Sequence, residues 1–296
     1  MSLSYALVTP ARDEARNLER LAGCLERQTV QPQEWLIVDD GSVDGTAEVA
    51  HALAARHAYV IVHDSPGAET REGPLAAGRR AGRDIVAFKV GLARLSRRPD
   101  VVLKLDADVS FEPDFFERML AAFEADPTLG IAGGTCYELD GDRWRPYRVT
   151  GGHVRGATRA YRWACLEAVS PIEERIGWEA VEEARAALKG WRTRSLPELP
   201  FLHHRALGAR DGARRAWVSQ GHLAHYLGYR PSFMLLKIAF RLVREPAAVA
   251  MLWGYVEALA QREPRHPDAA VRAFWRSEQS LRRVPGRMRE ALGLDG

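Results

Sequence analysis

Short apolar runs alternate with amphipathic stretches along the first half of the chain. Tyr5-Ala6-Leu7-Val8 reads as a strand, after which Leu18, Leu21, Cys24 and Leu25 recur at helical spacing among charged residues. Trp35-Leu36-Ile37-Val38 is a second strand, and Ala47, Val49, Ala50, Leu53 and Ala54 mark the buried stripe of the helix after it. His57-Ala58-Tyr59-Val60-Ile61-Val62-His63 reads as a third strand. Ile85, Val86, Phe88, Val90, Gly91 and Leu92 then predict a helix leading into Val101-Val102-Leu103-Lys104-Leu105. Runs that are apolar throughout, rather than alternating, predict strands covered on both faces. Strand–helix alternation of this kind predicts an α/β fold around a Rossmann-like, mostly parallel central sheet flanked by helices.

The polar residues gather where these runs end. The first strand runs into Thr9-Pro10-Ala11-Arg12-Asp13-Glu14, the second into Asp39-Asp40-Gly41-Ser42, and the Val101 run into Asp106-Ala107-Asp108. In an open α/β sheet the ligand crevice lies at the carboxyl ends of the strands. Two carboxylates one residue apart at that edge, Asp106 and Asp108, suit Mn²⁺ or Mg²⁺, with water and substrate phosphates completing the shell. Neither GxGxxG nor GxxxxGK[ST] occurs, so phosphate charge must be met by metal and arginine rather than by a backbone cradle.

Composition narrows the picture little. A formal net charge of +3 gives no reason to expect a nucleic-acid partner. Cys24, Cys136 and Cys165 are too few and scattered for a disulfide framework, and no CxxC suggests zinc. They read as reduced residues of a cytoplasmic protein, and the first strand begins too early for a signal peptide.

The spaced motifs Val8-Thr9-Pro10-Ala11-Arg12-Asp13-Glu14 with Asn17-Leu18, Gln28-Thr29, Val38-Asp39-Asp40-Gly41-Ser42-Val43-Asp44-Gly45-Thr46 and Leu105-Asp106-Ala107-Asp108 resemble the family-2 inverting glycosyltransferases of the GT-A fold. The resemblance runs in order over residues 3–205. It implies a GT-A catalytic domain at 1–205, with a nucleotide-binding half to about residue 110 and an acceptor half from 111. It also implies a nucleotide-diphosphate sugar donor and a hydroxyl acceptor. Nucleotide contacts are implied for Thr9, Pro10, Arg12, Glu14, Asp39, Asp40 and Asp106, with Asp40 reading the nucleobase edge. Where the family carries Asn-x-Gly, this chain has Lys89-Val90-Gly91, so Lys89 takes that place. The loop from 64 to 82 is rich in Gly, Pro and charge; it reads either as a solvated surface or as the source of an arginine, such as Arg71 or Arg79, for the diphosphate.

An inverting transferase needs a carboxylate to take the acceptor proton. Counting back from Gly190-Trp191-Arg192-Thr193, which resembles the family's Gly-Tyr-x-x, places the family's Glu-Asp pair on Trp178-Glu179. Glu179 is therefore the expected base, and its Trp178 neighbour is expected to raise its pKa. Glu182 and Glu183 are rivals, although both also read as a solvated helix face with Arg185. After an extended segment, His203-His204-Arg205 stands where the family carries a histidine. His203 is the expected third metal ligand, with His204 as the alternative and Arg205 a phosphate contact. Arg155, Gly156 and Arg159 lie in a segment that resembles the acceptor side, with a structural turn and surface charge as the plain reading of each.

From residue 206 to 296 the chain turns helical. Phe233-Met234-Leu235-Leu236-Lys237-Ile238-Ala239-Phe240 and residues 247–255 are its most apolar stretches, too often interrupted by charge to span a bilayer. Two readings follow: helices packed on the catalytic domain or a second copy, or an amphipathic surface on the inner membrane leaflet. The Gln-x-x-Arg-Trp motif of the processive synthases is absent, which favours transfer of a single sugar. Against a glycosyltransferase stand a nucleotidyltransferase that makes nucleotide sugars, which would open with a glycine-rich basic loop, and a non-catalytic nucleotide- or carbohydrate-binding homologue.

Overall fold

The computed structural model describes residues 3–65, 82–147, 149–150, 152–205, 212–242 and 245–292. The N-terminal half is built as the apolar runs dictate: β1 (Tyr5–Ala11), α1 (Ala15–Glu26), β2 (Glu34–Asp40), α2 (Thr46–Arg56), β3 (Val60–Ser65), α3 (Arg83–Leu92) and β4 (Val101–Leu105). These strands lie parallel in the order β3-β2-β1-β4. Alternate residues of each strand feed two cores. Leu7, Trp35, Ile37, Leu103 and Leu105 pack under α1 and α4, and Val8, Leu36, Val38 and Val102 pack with Ile85 and Phe88 of α3. Gly91 lets α3 lie directly on the sheet, since a Cβ there would overlap Val8 and crowd Leu36 and Val38. The single charged residue of β4, Lys104, is only 1% exposed, within the layer beneath α3.

The mixed half that follows comprises β5 (Val109–Phe111), α4 (Phe115–Ala125), β6 (Leu129–Asp140), β7 (Arg143–Pro146), β8 (Thr158–Arg162), α5 (Trp163–Val169), α6 (Trp178–Leu188) and β9 (Arg192–His203). Here the sheet mixes directions: β8 runs antiparallel to β4 and β6, while β6 and β9 are parallel. The sequence pattern does not announce β8, because Thr158-Arg159-Ala160-Tyr161-Arg162 carries charge, yet Arg159 is fully buried inside it. β9 is longer than its apolar segment. Pro197 and Pro200 fall where the pairing with β6 slips from Gly134–Leu196 to Thr135–Pro200, an irregularity that accommodates residues without a free N–H.

The C-terminal helices are α7 (Ala213–Tyr226), α8 (Pro231–Leu242), α9 (Ala250–Ala260), α10 (Ala269–Glu278) and α11 (Val284–Leu292), with short 3₁₀ turns before α9 and α11. They are docked on the mixed half: Val181 and Ala184 of α6 share a core with Leu223, Tyr226, Leu227 and Val271, and Trp275 Nε1 donates to the Ala180 carbonyl at 3.1 Å. α7 and α9 approach at backbone contact through Gly221 and Gly254, where a Cβ on either would collide with the other helix's main chain.

Candidate functional site

At the ends of β1 and β2, Asp40 is gripped by α3. Arg83 Nε lies 2.9 Å from Asp40 Oδ2, and Arg12 donates to the Asp40 carbonyl at 3.2 Å. Asp39 is turned back on its own turn, accepting from the backbone and hydroxyl of Ser42. Thr9 is fully buried, its Oγ1 accepting the Trp35 indole N–H at 2.9 Å, and Pro10 is half-buried beside it. Glu14 takes a two-pronged bond from Arg205 at 2.6 and 2.7 Å and a third from Asn17 at 2.6 Å. Arg205 also stands 3.6 Å from Asp108 Oδ2, so it ties the first strand's loop to the Asp106–Asp108 turn.

That turn carries the candidate metal centre. His203, the last residue of β9, is brought beside it by the β5–β9 pairing, in which Val109 faces His203. Its Nε2 lies 3.2 Å from Asp108 Oδ1. One ligand atom from each of Asp106, Asp108 and His203 can be chosen so that all lie within 4.8 Å of one another. His203 is 4% exposed, and neither ring nitrogen makes a well-aligned hydrogen bond. An imidazole buried with two orphaned nitrogens next to two carboxylates fits a divalent cation in the third position. Burial disfavours its protonation, but Asp108, Cys136 and Glu138 together push its pKa up to about 11, so in this state the ring carries a proton that a divalent cation on the same groups would replace. Glu138 is in turn held below the usual carboxylate range, against the effect of burial, by His203 and by Arg155 at 2.8 Å. Arg155 therefore braces the centre from behind, with its guanidinium over the Tyr147 ring at 4.5 Å. His204 faces elsewhere: its Nε2 meets Ser110 Oγ at 2.7 Å and its ring abuts Trp144.

Glu179 stands in the first turn of α6, which opens at Gly177 in the left-handed region (φ 81°). The acceptor-side segment passes over it. A Cβ on Gly156 would lie 3.2 Å from Glu179 Oε1 and 3.2 Å from the Trp178 indole, so a side chain there would crowd both. One residue on, the Ala157 carbonyl accepts the Asp106 N–H at 2.9 Å. One short segment thus borders both the Asp106 end and the Glu179 end of the site.

The solvated-face reading of Glu182 and Glu183 and the surface reading of Arg159 are overturned. Glu182 is 0% and Glu183 4% exposed, and both pair with the fully buried Arg159 at 3.3 and 3.0 Å. Arg159 also donates to the Val154 and Glu179 carbonyls, and Tyr161 donates to Glu182 at 2.6 Å. The three charges were placed outside because charge was equated with solvent; a salt-bridged network on β8 and α6 buries them instead. Burial pushes Glu182 up to about 7, opposed by Arg159 and Tyr161. Glu183 is lowered despite burial, by His153, Arg159 and the Val154 N–H. Glu182 faces the core, and both rivals are held in the buried network of α6.

Lys89 lies towards the end of α3 and pairs with Glu174 at 2.6 Å. It is Arg83, in the first turn of the same helix, that reaches Asp40. Arg71 and Arg79 lie outside the described residues. Sequence reasoning passed over Lys104, whose Nζ sits 2.5 Å from Asp106 Oδ1 and 3.1 Å from Asp84 Oδ2. A lysine inside an otherwise apolar strand that ends in acids was the available signal.

A parallel βαβ half with carboxylates at its strand ends, joined to a mixed half carrying a further carboxylate opposite them, is a GT-A-type arrangement. The chain belongs to glycosyl transferase family 2, whose pattern matches residues 6–169, more than half of its length. It is 33% identical over 132 residues to an undecaprenyl-phosphate mannosyltransferase of Micrococcus luteus, covering 43% of this chain and 49% of that protein. It is 32% identical over 136 residues to a polyprenol monophosphomannose synthase of Mycolicibacterium smegmatis, covering 44% and 46% respectively. The chain thus spans about half the length of these curated relatives, or less. In fold it is similar to the mannosyltransferase PcManGT from Pyrobaculum calidifontis, solved with GDP-Man and Mn²⁺. The TM-score is 0.57 at 16% identity, over 98% of this chain and 85% of that one. It is also similar to S. aureus TarS solved with UDP, with a TM-score of 0.53 at 16% identity, over 74% and 65%.

Proposed function

We propose that this protein is a metal-dependent inverting glycosyltransferase that moves one sugar from a nucleotide-diphosphate donor to an acceptor hydroxyl. The observation that carries this reading is the cluster of Asp106, Asp108 and His203 at the end of β4, facing Glu179 across Gly156 and Ala157. Asp106, Asp108 and His203 would hold Mn²⁺ or Mg²⁺, which supplies Lewis-acid stabilisation of the departing nucleotide diphosphate. Asp40, set by Arg83 and Arg12, receives the nucleoside end. Glu179 takes the proton from the acceptor hydroxyl as its oxygen attacks the anomeric carbon from the face opposite the leaving group. Residues 1–205 form the catalytic unit in this reading, and 206–296 its helical appendage.

The test is nucleotide release from a panel of UDP- and GDP-sugars with Mn²⁺ or Mg²⁺, with and without EDTA. Pyrophosphate release from a nucleoside triphosphate and a sugar phosphate would mark a nucleotidyltransferase instead. The absence of any turnover alongside nucleotide binding would mark a non-catalytic homologue.

A specific second reading concerns the acceptor. The two relatives above are named for undecaprenyl phosphate and polyprenol monophosphomannose. If the acceptor here is a lipid phosphate, its attacking oxygen is already ionised and Glu179 has no proton to remove. The C-terminal helices favour a lipid setting. No described helix is long and apolar enough to cross a membrane, yet Leu235, Leu236 and Phe240 of α8 and Leu252, Trp253, Val256 and Leu259 of α9 are 39–65% exposed. With Arg241 and Arg262 nearby, this face suits the surface of an anionic bilayer, the cytoplasmic leaflet in this reading, better than a second copy. Flotation with anionic vesicles, lost in Trp253→Glu, supports it; no flotation together with a dimer in sedimentation contradicts it.

A further inference from the structure

In-line attack on a nucleotide sugar imposes a geometry. The hexose must sit between the metal-held diphosphate, at Asp106 and Asp108, and the base, at Glu179. Among the described residues, Asp106 is linked to α3 through Lys104 of β4 and Asp84. Lys104 Nζ is 2.5 Å from Asp106 Oδ1 and 3.1 Å from Asp84 Oδ2, and it lies 5.9 Å from the ring centre of Trp178, the neighbour of Glu179. One ammonium therefore touches the Asp106 end and the α6 end of the site at once.

The two neighbouring side chains at the start of α3 divide the donor between them. Arg83 turns to Asp40 at 2.9 Å, on the nucleoside side, and Asp84 turns to Lys104. The turn that presents them is held in place by Gly82 (φ +68°), where a Cβ would press on the backbone of Glu174 and Arg175. Lys104 is 1% exposed, whereas the Asp84 side chain keeps 38% of its surface open. A buried cation shared by two carboxylates is costly unless its geometry serves the fold or a ligand. In this chain Trp178 stands where the family resemblance places an acid, and the indole lies over Lys104 and Arg159 instead of accepting hydroxyls.

Resting on the glycosyltransferase reading, we propose that Asp84, anchored by Lys104, is the residue that grips the hydroxyls of the donor hexose. Its outward carboxylate oxygen accepts hydrogen bonds from sugar hydroxyls, while Lys104 fixes its position relative to Asp106. Asp84 is a specificity-determining contact, and Lys104 is a positioning residue that acts through it.

The test separates sugar from nucleotide. Calorimetry with Mn²⁺ measures GDP against GDP-mannose, and UDP against UDP-glucose and UDP-GlcNAc, on wild type, Asp84→Ala and Asp84→Asn. For whichever nucleotide the wild type binds, Asp84→Ala is expected to leave nucleoside-diphosphate affinity within about threefold. The same variant is expected to weaken the nucleotide sugar by about tenfold to a hundredfold, the worth of a charge-assisted hydrogen bond or two. Asp84→Asn keeps the shape and part of the hydrogen bonding, so it should fall between. Lys104→Met also releases Asp106, so it is expected to add a loss of nucleoside-diphosphate affinity to the loss on the sugar, with a thermal melt reporting its folding; the Asp84 variants decide the matter either way. Equal weakening of nucleotide and nucleotide sugar, or no change in either, overturns the assignment. A wild type that binds no probe at all overturns the glycosyltransferase reading and this one with it.

Discussion

The backbone N–H of Asp106 donates to the carbonyl of Ala157 at 2.9 Å, fastening the metal turn to the acceptor segment. The next residue back, Gly156, borders Glu179, so one short segment touches both the candidate metal centre and the candidate base. Gly156→Ala pushes a methyl against both Glu179 and Trp178. Turnover is expected to fall at least tenfold, while the melting temperature shifts by only a few degrees. A variant with normal turnover would show that Glu179 is not confined there.

The metal set is tested by binding rather than by rate. Asp108→Ala removes a carboxylate from a buried cluster with His203. Mn²⁺ affinity, read by electron paramagnetic resonance with a nucleoside diphosphate present, is expected to fall at least tenfold, with the circular dichroism spectrum unchanged. Unchanged affinity would remove Asp108 from the ligand set.

Asp40 and Glu179 variants should fail in different ways. Asp40→Ala frees Arg83 and Arg12 from their carboxylate and is expected mainly to weaken nucleotide binding in calorimetry. Glu179→Gln keeps size and hydrogen bonding but cannot accept a proton. With a hydroxyl acceptor its turnover should drop on the order of 10²–10⁴-fold while donor affinity holds. A loss of less than about threefold on a lipid-phosphate acceptor identifies the already ionised nucleophile.

The buried network under α6 gives the fold a pH dependence. Burial raises Glu182 to about 7 in the folded state, above an unfolded value of 4.5, and His153 is also raised, by Glu183 against the effect of burial. Groups raised on folding bind protons more tightly in the native state, so their contribution is complete at acid pH and is lost as pH rises through their folded values. Between about pH 5 and 8 the melting temperature is expected to decline, and Glu182→Gln, which keeps the neutral form, should flatten that decline. An unchanged decline in the variant would mean that Glu182 does not titrate in this range and that its ionised form, paired with Arg159, is the stabilising one.

Much of this was legible in the chain because its physics is local. An apolar run ending in carboxylates announces β4 and Asp106/Asp108, and helical periodicity announces α1 to α3. What stayed hidden depends on pairing across the fold. β8 looks like surface because Arg159 carries charge, and only the carboxylates of α6, more than a dozen residues away, make its burial tolerable. Lys104 reads as an interruption of a strand until Asp84, arriving from α3, gives it a second partner. His203 was favoured over His204 only by its place in the family resemblance; the physical reason is the β5–β9 register, which sends one ring to Asp108 and the other to Ser110.

The central claim is that Asp106, Asp108 and His203 hold a divalent cation against a nucleotide sugar. The most direct measurement is nucleotide release from the UDP- and GDP-sugar panel in Mn²⁺, in EDTA, and in EDTA followed by excess Mn²⁺. The account expects release from one nucleotide class in Mn²⁺, a fall to background in EDTA, and full recovery when Mn²⁺ is restored. Full activity in EDTA would contradict it.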